Sequence, residues 1–182
     1  YHIKTTPTRH SFLLPAEIKQ LESLNLPSRW KHLEHTLDAF LFCCYTGLRY
    51  SDFTQLTSSN FTQMNEDYWL VFRTVKTKEE IRLPLNLLFH GKALLLLEKY
   101  KDTNSFFHLK PNPAVNKELM RIRTLAKLNK HISFHTARHT NATLLIYEGI
   151  QIPTVQKLLG HRNIKTTQLY SNILLDTIVK DL

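Results

Sequence analysis

Between residues 60 and 85 the chain abandons the three-to-four-residue spacing of apolar side chains that it keeps almost everywhere else. In DYWLVFRTVKTKEEIRLPL, two aromatic and β-branched stretches, 68–75 and 81–85, flank the polar segment 76–80, which predicts a β-hairpin. No other segment reads convincingly as sheet. The chain is therefore expected to be mainly α with a small antiparallel β-sheet (α+β).

Helical periodicity holds on both sides of this hairpin. Pro15 opens residues 15–26, where Ile18, Leu21 and Leu24 share a side and Glu17 sits near the positive helix end. Residues 30–45 carry Leu33, Leu37, Phe40, Leu41 and Cys44 at helical spacing and stop at Gly47, the pattern of a core helix. A short helix capped by Ser51 or Asp52 is expected through Leu56. Further helices are expected over 87–99 and 113–128, with the loop TNSFFHLKPNP between them. Ser133 suits the N-cap of a helix carrying His135 to Tyr147 and closed by Gly149, and Pro153 opens another closed by Gly160. Residues 163–170 read as a short helix, and 171–182 as an amphipathic one with Leu174, Leu175, Ile178 and Leu182 on one side.

A chain of 182 residues buries roughly 70% of its unfolded surface, enough for one domain without staples. Cys43 and Cys44 are neighbours in FLFCCYTG and poorly placed to bridge each other, which fits a reducing, intracellular compartment. No apolar stretch reaches the roughly 18–20 residues a bilayer span needs, so no membrane partner is expected. With 24 Lys and Arg against 15 Asp and Glu, the formal charge of +9 is the footprint of a polyanion binder. The polar lead-in YHIKTTPTRH starts without Met, so residues 1–12 are expected to be the remnant of a linker to an absent N-terminal domain.

Chemistry concentrates in the last third. On the helix after Ser133, His135, Arg138 and His139 fall at i, i+3 and i+4 and project from one face near the helix N-terminus, where free N–H groups favour an anion. A solvated polar stripe is the bland alternative. Zinc is a second alternative, because His135 and His139 have metal-pair spacing, but the Glu of HExxH is missing and a cation would sit beside Arg138.

Tyr170 follows in HRNIKTTQLYSNI. A phenol is a poor nucleophile at neutral pH, with a pKa near ~10, unless cations stabilise charge on its oxygen and on the group it attacks. Arg138, His161 and a second Arg supply that setting. Arg49, at a Gly-containing turn after the core helix, is the candidate, and an ion pair with Asp52 is its ordinary alternative. Lys76 at the hairpin tip is placed to reach a leaving oxygen, with Lys78 as its rival.

Taken in order, TGLRYSD with Arg49, VKTKEEIRLPL with Lys76, HTARHT with His135 and Arg138, LLGH with His161 and TTQLY with Tyr170 resemble the catalytic domain of the tyrosine recombinase, or phage integrase, family. The likeness spans nearly the whole chain. It implies that Tyr170 attacks a DNA phosphodiester to form a 3′-phosphotyrosyl link, that Arg49 and Arg138 hold the phosphate, and that His161 adds a hydrogen bond to it. It also implies that Lys76 protonates the leaving 5′-oxygen, that His135 assists proton transfer at the Tyr, and that Asp52 orients Arg49. His139 is left to support and packing. The phosphotyrosyl bond conserves the energy of the broken one, so no metal, ATP or other cofactor is expected.

By the same resemblance, residues 13–170 are the catalytic domain and 171–182 a helical tail packed in cis or exchanged between subunits. The expected partners are double-stranded DNA and further copies of the chain, a tetramer on DNA, and the expected location is the bacterial cytoplasm with the nucleoid. Asn141 departs from the family pattern, which commonly has an aromatic residue after RHT. Two rival functions remain at this point: a DNA-binding module without chemistry, and strand passage of the type IB topoisomerase kind.

Overall fold

The structure, a computed structural model, describes residues 11–103 and 105–170. The expected linker remnant, apart from Ser11 and Phe12, and the expected tail at 171–182 lie outside the described residues. Seven α-helices are bounded as α1 (Pro15–Glu22), α2 (Glu34–Thr46), α3 (Tyr50–Phe53), α4 (Lys92–Lys99), α5 (Asn112–Leu125), α6 (Phe134–Tyr147) and α7 (Ile152–Leu159), and residues 164–170 are helical again. Strands β1 (Phe61–Met64), β2 (Asp67–Arg73) and β3 (Glu80–Pro84) stand between α3 and α4.

The run FLFCC puts apolar atoms on every side of α2, and all residues from Thr36 to Thr46 are buried. Around it pack α1, α4, α5 and, most extensively, α6. Its N-terminal part differs from expectation: residues Ser28–Leu33 form a 3₁₀ helix, and the α-helix begins only at Glu34. At the other end Gly47 caps α2 with φ +72°, a left-handed conformation that costs glycine little. The helix α4 is anchored to α2 by Asp38, whose Oδ2 accepts from Lys99 Nζ at 2.6 Å and from the Tyr100 hydroxyl at 2.7 Å.

Helix α6 is buried from Thr136 to Leu145, including Arg138, His139, Thr140, Asn141 and Thr143. Buried polar groups need partners, and here those partners tie distant segments together. Thr140 Oγ1 accepts from the Leu13 amide at 3.0 Å, and Asn141 Nδ2 donates to the Cys44 carbonyl at 2.9 Å. Asn141 thus ties α6 to α2 through a hydrogen bond.

The sheet has three antiparallel strands in the order β1-β2-β3, one more than the hairpin expected from sequence. Phe61 pairs with Leu70 and Met64 with Asp67, leaving a two-residue turn in which Asn65 takes φ +57°. The segment FTQM is short and half polar, and Asn-Glu is a weaker turn signal than Asn-Gly, so β1 carried little sequence signature. The β2–β3 pairing runs from Trp69 opposite Pro84 to Arg73 opposite Glu80, with Leu70, Phe72, Ile81 and Leu83 facing the core. Among the described residues no helix is long and apolar enough to cross a membrane.

Candidate active site

Arg138 is 4% exposed, projecting from α6 beneath the Gly47 turn. Its Nη1 donates to the Gly47 carbonyl at 2.7 Å and its Nη2 to the Leu159 carbonyl at 2.6 Å. Those acceptors are orphan carbonyls at the C-terminal ends of α2 and α7, which both end at a left-handed glycine. One guanidinium therefore fixes two helix ends while keeping further N–H donors for another acceptor. Burial, and then the nearby charge of Arg49, lower the Arg138 pKa to about 10. It stays charged at neutral pH.

Arg49 occupies the N-cap position of α3 without a side-chain capping bond, where the sequence reading placed Ser51 or Asp52. Asp52 is released for other work. Its Oδ2 lies 3.5 Å from Arg49 Nη1, and its Oδ1 accepts from the Val75 amide at 2.8 Å. The buried carboxylate thus links Arg49 to the β2–β3 turn. Lys76 follows Val75 directly and is exposed, as is Lys78, which adopts φ +59°. Among the described residues no hydrogen-bond partner reaches Arg49 Nη1. Two guanidinium groups within electrostatic reach share one close carboxylate, an arrangement that favours an added anion.

His161 follows the left-handed Gly160 at the end of α7, and its Nδ1 lies 2.9 Å from Thr167 Oγ1. Burial, followed by the charges of Arg138, Arg49 and His135, lowers its pKa to about 4. The ring is neutral at pH 7. With Nδ1 accepting from the Thr167 hydroxyl, Nε2 carries the proton and is a hydrogen-bond donor.

Tyr170 closes the site. Its side chain is 5% exposed, its ring lies nearly parallel to His161 at 6.4 Å, and its hydroxyl is 2.7 Å from His139 Nδ1. Burial raises the phenol pKa against the opposing charges of Arg138 and Arg49. The His139 ring also meets His135 edge to face at 4.5 Å, but His135 itself is exposed. Among the described residues no group of three or more His, Cys, Asp or Glu side chains could hold a metal ion.

Arg49, Arg138, His161 and Tyr170 are thus brought together from four separate segments, with Asp52 and His139 among them and His135 at the exposed side. The turn bearing Lys76 is tied to them through Val75. Sequence reasoning missed Thr167, which is fully buried against His161. It also missed Arg162, whose Nη2 donates to the Thr77 carbonyl at 2.7 Å and whose Nε faces Glu79. Neither carries a local signal, because each acts on a residue that only the fold makes a neighbour. The hydrogen bond of His139, assigned from sequence to packing, was hidden for the same reason.

The profile of the phage integrase family matches residues 12–175. The chain is 31% identical over 172 residues to the tyrosine recombinase XerA of Saccharolobus solfataricus, covering 89% of this chain and 55% of that one. A tyrosine recombinase of Pseudothermotoga lettingae is 30% identical, over 89% of this chain and 56% of the relative. The chain therefore spans about half the length of these relatives. Its fold is similar to that of a crystal structure of XerA recombinase, with a TM-score of 0.69 and 20% identity over 97% of this chain and 66% of that one. It is also similar to a lambda integrase crystallised as a tetramer bound to a Holliday junction, with a TM-score of 0.73 and 19% identity over 93% of this chain and 50% of that one.

Proposed function

The chain belongs to the phage integrase family, and from that premise we propose that it is the catalytic part of a site-specific recombinase that cuts and rejoins DNA through a 3′-phosphotyrosyl intermediate. One observation carries the reading: Arg138 and Arg49 lie within electrostatic reach of the buried hydroxyl of Tyr170, where both oppose the rise in pKa that burial causes. A phosphodiester set against that point meets two forked cations and a nucleophile at once, and such preorganised stabilisation of charge is usually the largest catalytic effect.

In this reading Tyr170 Oη attacks phosphorus and the bond to the 5′-oxygen breaks. Lys76 protonates that oxygen as it leaves; its support is the Val75–Asp52 hydrogen bond, which anchors the backbone beside Lys76. Arg49 and Arg138 hold the phosphate oxygens, and neutral His161 donates Nε2–H to one of them. Asp52 orients Arg49. A 5′-hydroxyl from a second duplex then attacks the phosphotyrosyl bond and releases Tyr170, so the energy of the first bond is kept for the last. None of these steps calls on metal or ATP.

Double-stranded DNA is the proposed substrate, supported by the formal charge of +9. The proposed working form is a homo-oligomer on DNA, a tetramer by analogy with the lambda integrase assembly, with residues 13–170 as its catalytic unit and 171–182 available for exchange between subunits. An N-terminal DNA-binding domain and a bacterial cytoplasmic location complete the proposal. Incubation with a pool of nicked duplexes, followed by denaturing electrophoresis and mass spectrometry of the adduct, tests it. The expected product is DNA attached to Tyr170 and absent from Tyr170→Phe. DNA binding without any adduct in the wild type would leave a binding module instead.

A further inference from the structure

We infer that His139, rather than His135, is the group that takes the proton from the Tyr170 hydroxyl as its oxygen attacks phosphorus. The inference rests on Tyr170 being the nucleophile, as proposed above, and gives to His139 the proton transfer that the family resemblance implies for His135.

The geometry separates them. His139 Nδ1 is 2.7 Å from the Tyr170 hydroxyl, within reach of direct proton transfer. Both side chains are buried, at 8% and 5% exposure, so water does not compete for the contact. His135, one helical turn earlier, is exposed and presents its ring to the ring of His139. The backbone under His139 is firm as well: its carbonyl accepts from Thr143 Oγ1 at 2.9 Å, and its neighbour Arg138 is fastened to two helix ends.

The phenol needs such a partner. Burial outweighs the two guanidinium charges and keeps it protonated at neutral pH, so a proton must leave during attack. An unprotonated imidazole nitrogen in contact with the hydroxyl is the acceptor that physiological pH supplies. The Oη–H bond breaks as Oη–P forms, the proton passes to Nδ1, and Lys76 protonates the departing 5′-oxygen. Return of the proton from His139 to Tyr170 then accompanies ligation, so the cycle balances.

Among the described residues, the other charged or titratable groups facing this pair include Arg138 and His135 on α6, Arg49 at the start of α3, Asp52 within α3, and His161 after α7. His161 titrates near 4 and Arg138 near 10. An unperturbed imidazole titrates in the range of about pH 5 to 8, so variants at His139 and His135 assign a transition found there.

The experiment places 3-fluorotyrosine at position 170 and follows its fluorine resonance with pH in the free protein. The expected inflection between pH 5 and 8 disappears in His139→Gln and persists in His135→Gln. In wild type with labelled histidine, Tyr170→Phe is expected to shift the Nδ1 resonance of His139 and leave that of His135 unmoved; this reading needs no His139 variant to fold. With the nicked-duplex pool, His139→Gln is expected to slow adduct formation ~100-fold and abolish its acidic limb, and the more acidic fluorinated phenol to recover part of the rate. Loss of the inflection or limb in His135→Gln, or wild-type rates in a folded His139→Gln, would overturn the inference. Absence of any adduct from wild type would instead defeat the recombinase reading, while the two resonance measurements still decide which histidine holds the hydroxyl.

Discussion

Arg138 and Gly47, 91 positions apart in sequence, are joined by a 2.7 Å hydrogen bond from guanidinium to carbonyl. Because the second arm of the same group holds Leu159, replacing Arg138 separates stability from catalysis. Arg138→Met removes a charge that burial, and then repulsion from Arg49, disfavours by about 3 kcal/mol, at ~1.4 kcal/mol per pKa unit of depression. It also strands two carbonyls at about 1–3 kcal/mol each. Together the two carbonyls cost about 2–6 kcal/mol against that gain of about 3 kcal/mol, so melting is expected to fall by no more than about 10 °C, whereas adduct formation falls by ~100-fold or more. A large loss of Tm with little loss of rate in the folded fraction would mean that Arg138 is a structural clasp alone.

Gly47 is the reverse case. At φ +72° any side chain is strained, and a Cβ there would stand 2.6 Å from Leu159 Cδ2 and 2.7 Å from Asn141 Oδ1. Left-handed strain of about 1–2 kcal/mol and overpacking of about 1–3 kcal/mol add, so Gly47→Ala is expected to lower Tm by roughly 5–15 °C. Asn141→Ala in the same chain relieves one of the two clashes, and the double variant should be more stable than the sum of the single losses. Strict additivity in thermal melts would show that the Asn141 contact does not matter.

What the sequence revealed, and what it hid, follows from this arrangement. The helices around α2 and α6, the β2–β3 hairpin and the order of Arg49, Arg138, His161 and Tyr170 are local patterns, and they were readable as such. The 3₁₀ entry to α2 and the left-handed residues Phe89 and His90 before α4 were not, because tertiary packing overrides propensity there. The roles of Asp52, Thr167 and His139 depend on groups 23, 6 and 31 positions away, a backbone amide in the first case and side chains in the other two. A contact of that kind has no period and no composition. The i, i+4 pair His135 and His139 was visible as sharing a helical face, but the resemblance gave proton transfer at the phenol to His135, whereas the ring nitrogen 2.7 Å from the hydroxyl is that of His139.

His161 makes stability depend on pH. Its folded pKa of about 4 lies below the ordinary imidazole value of about 6.5, so between these values the unfolded chain binds more protons than the folded one. The sign follows: stability is fully present above about pH 6.5 and falls as pH drops toward 4. Since the ring is partly exposed, screening reduces the effect to about 1–2 kcal/mol. Urea midpoints measured from pH 7.5 to 4 should fall less in His161→Gln than in wild type. Equal slopes would deny that His161 is buried neutral in the folded protein.

Arg162 tests whether the β2–β3 turn must be held for Lys76 to work. Its Nη2 reaches the Thr77 carbonyl at 2.7 Å from the segment that also carries His161, so one exposed side chain bridges the two. Exposed contacts contribute little to stability, of order 0–1 kcal/mol, and Arg162→Ala should melt within about 2–4 °C of wild type. Proton donation is more demanding, since a displacement of ~1 Å costs up to ~100-fold in rate. Adduct formation is expected to fall several-fold with ordinary DNA. If the defect lies in delivering the Lys76 proton, it should vanish with a duplex whose scissile 5′-oxygen is replaced by sulfur, because a thiolate leaves without protonation. A defect of the same size on both duplexes would assign Arg162 to DNA binding and leave the turn to the Val75–Asp52 hydrogen bond.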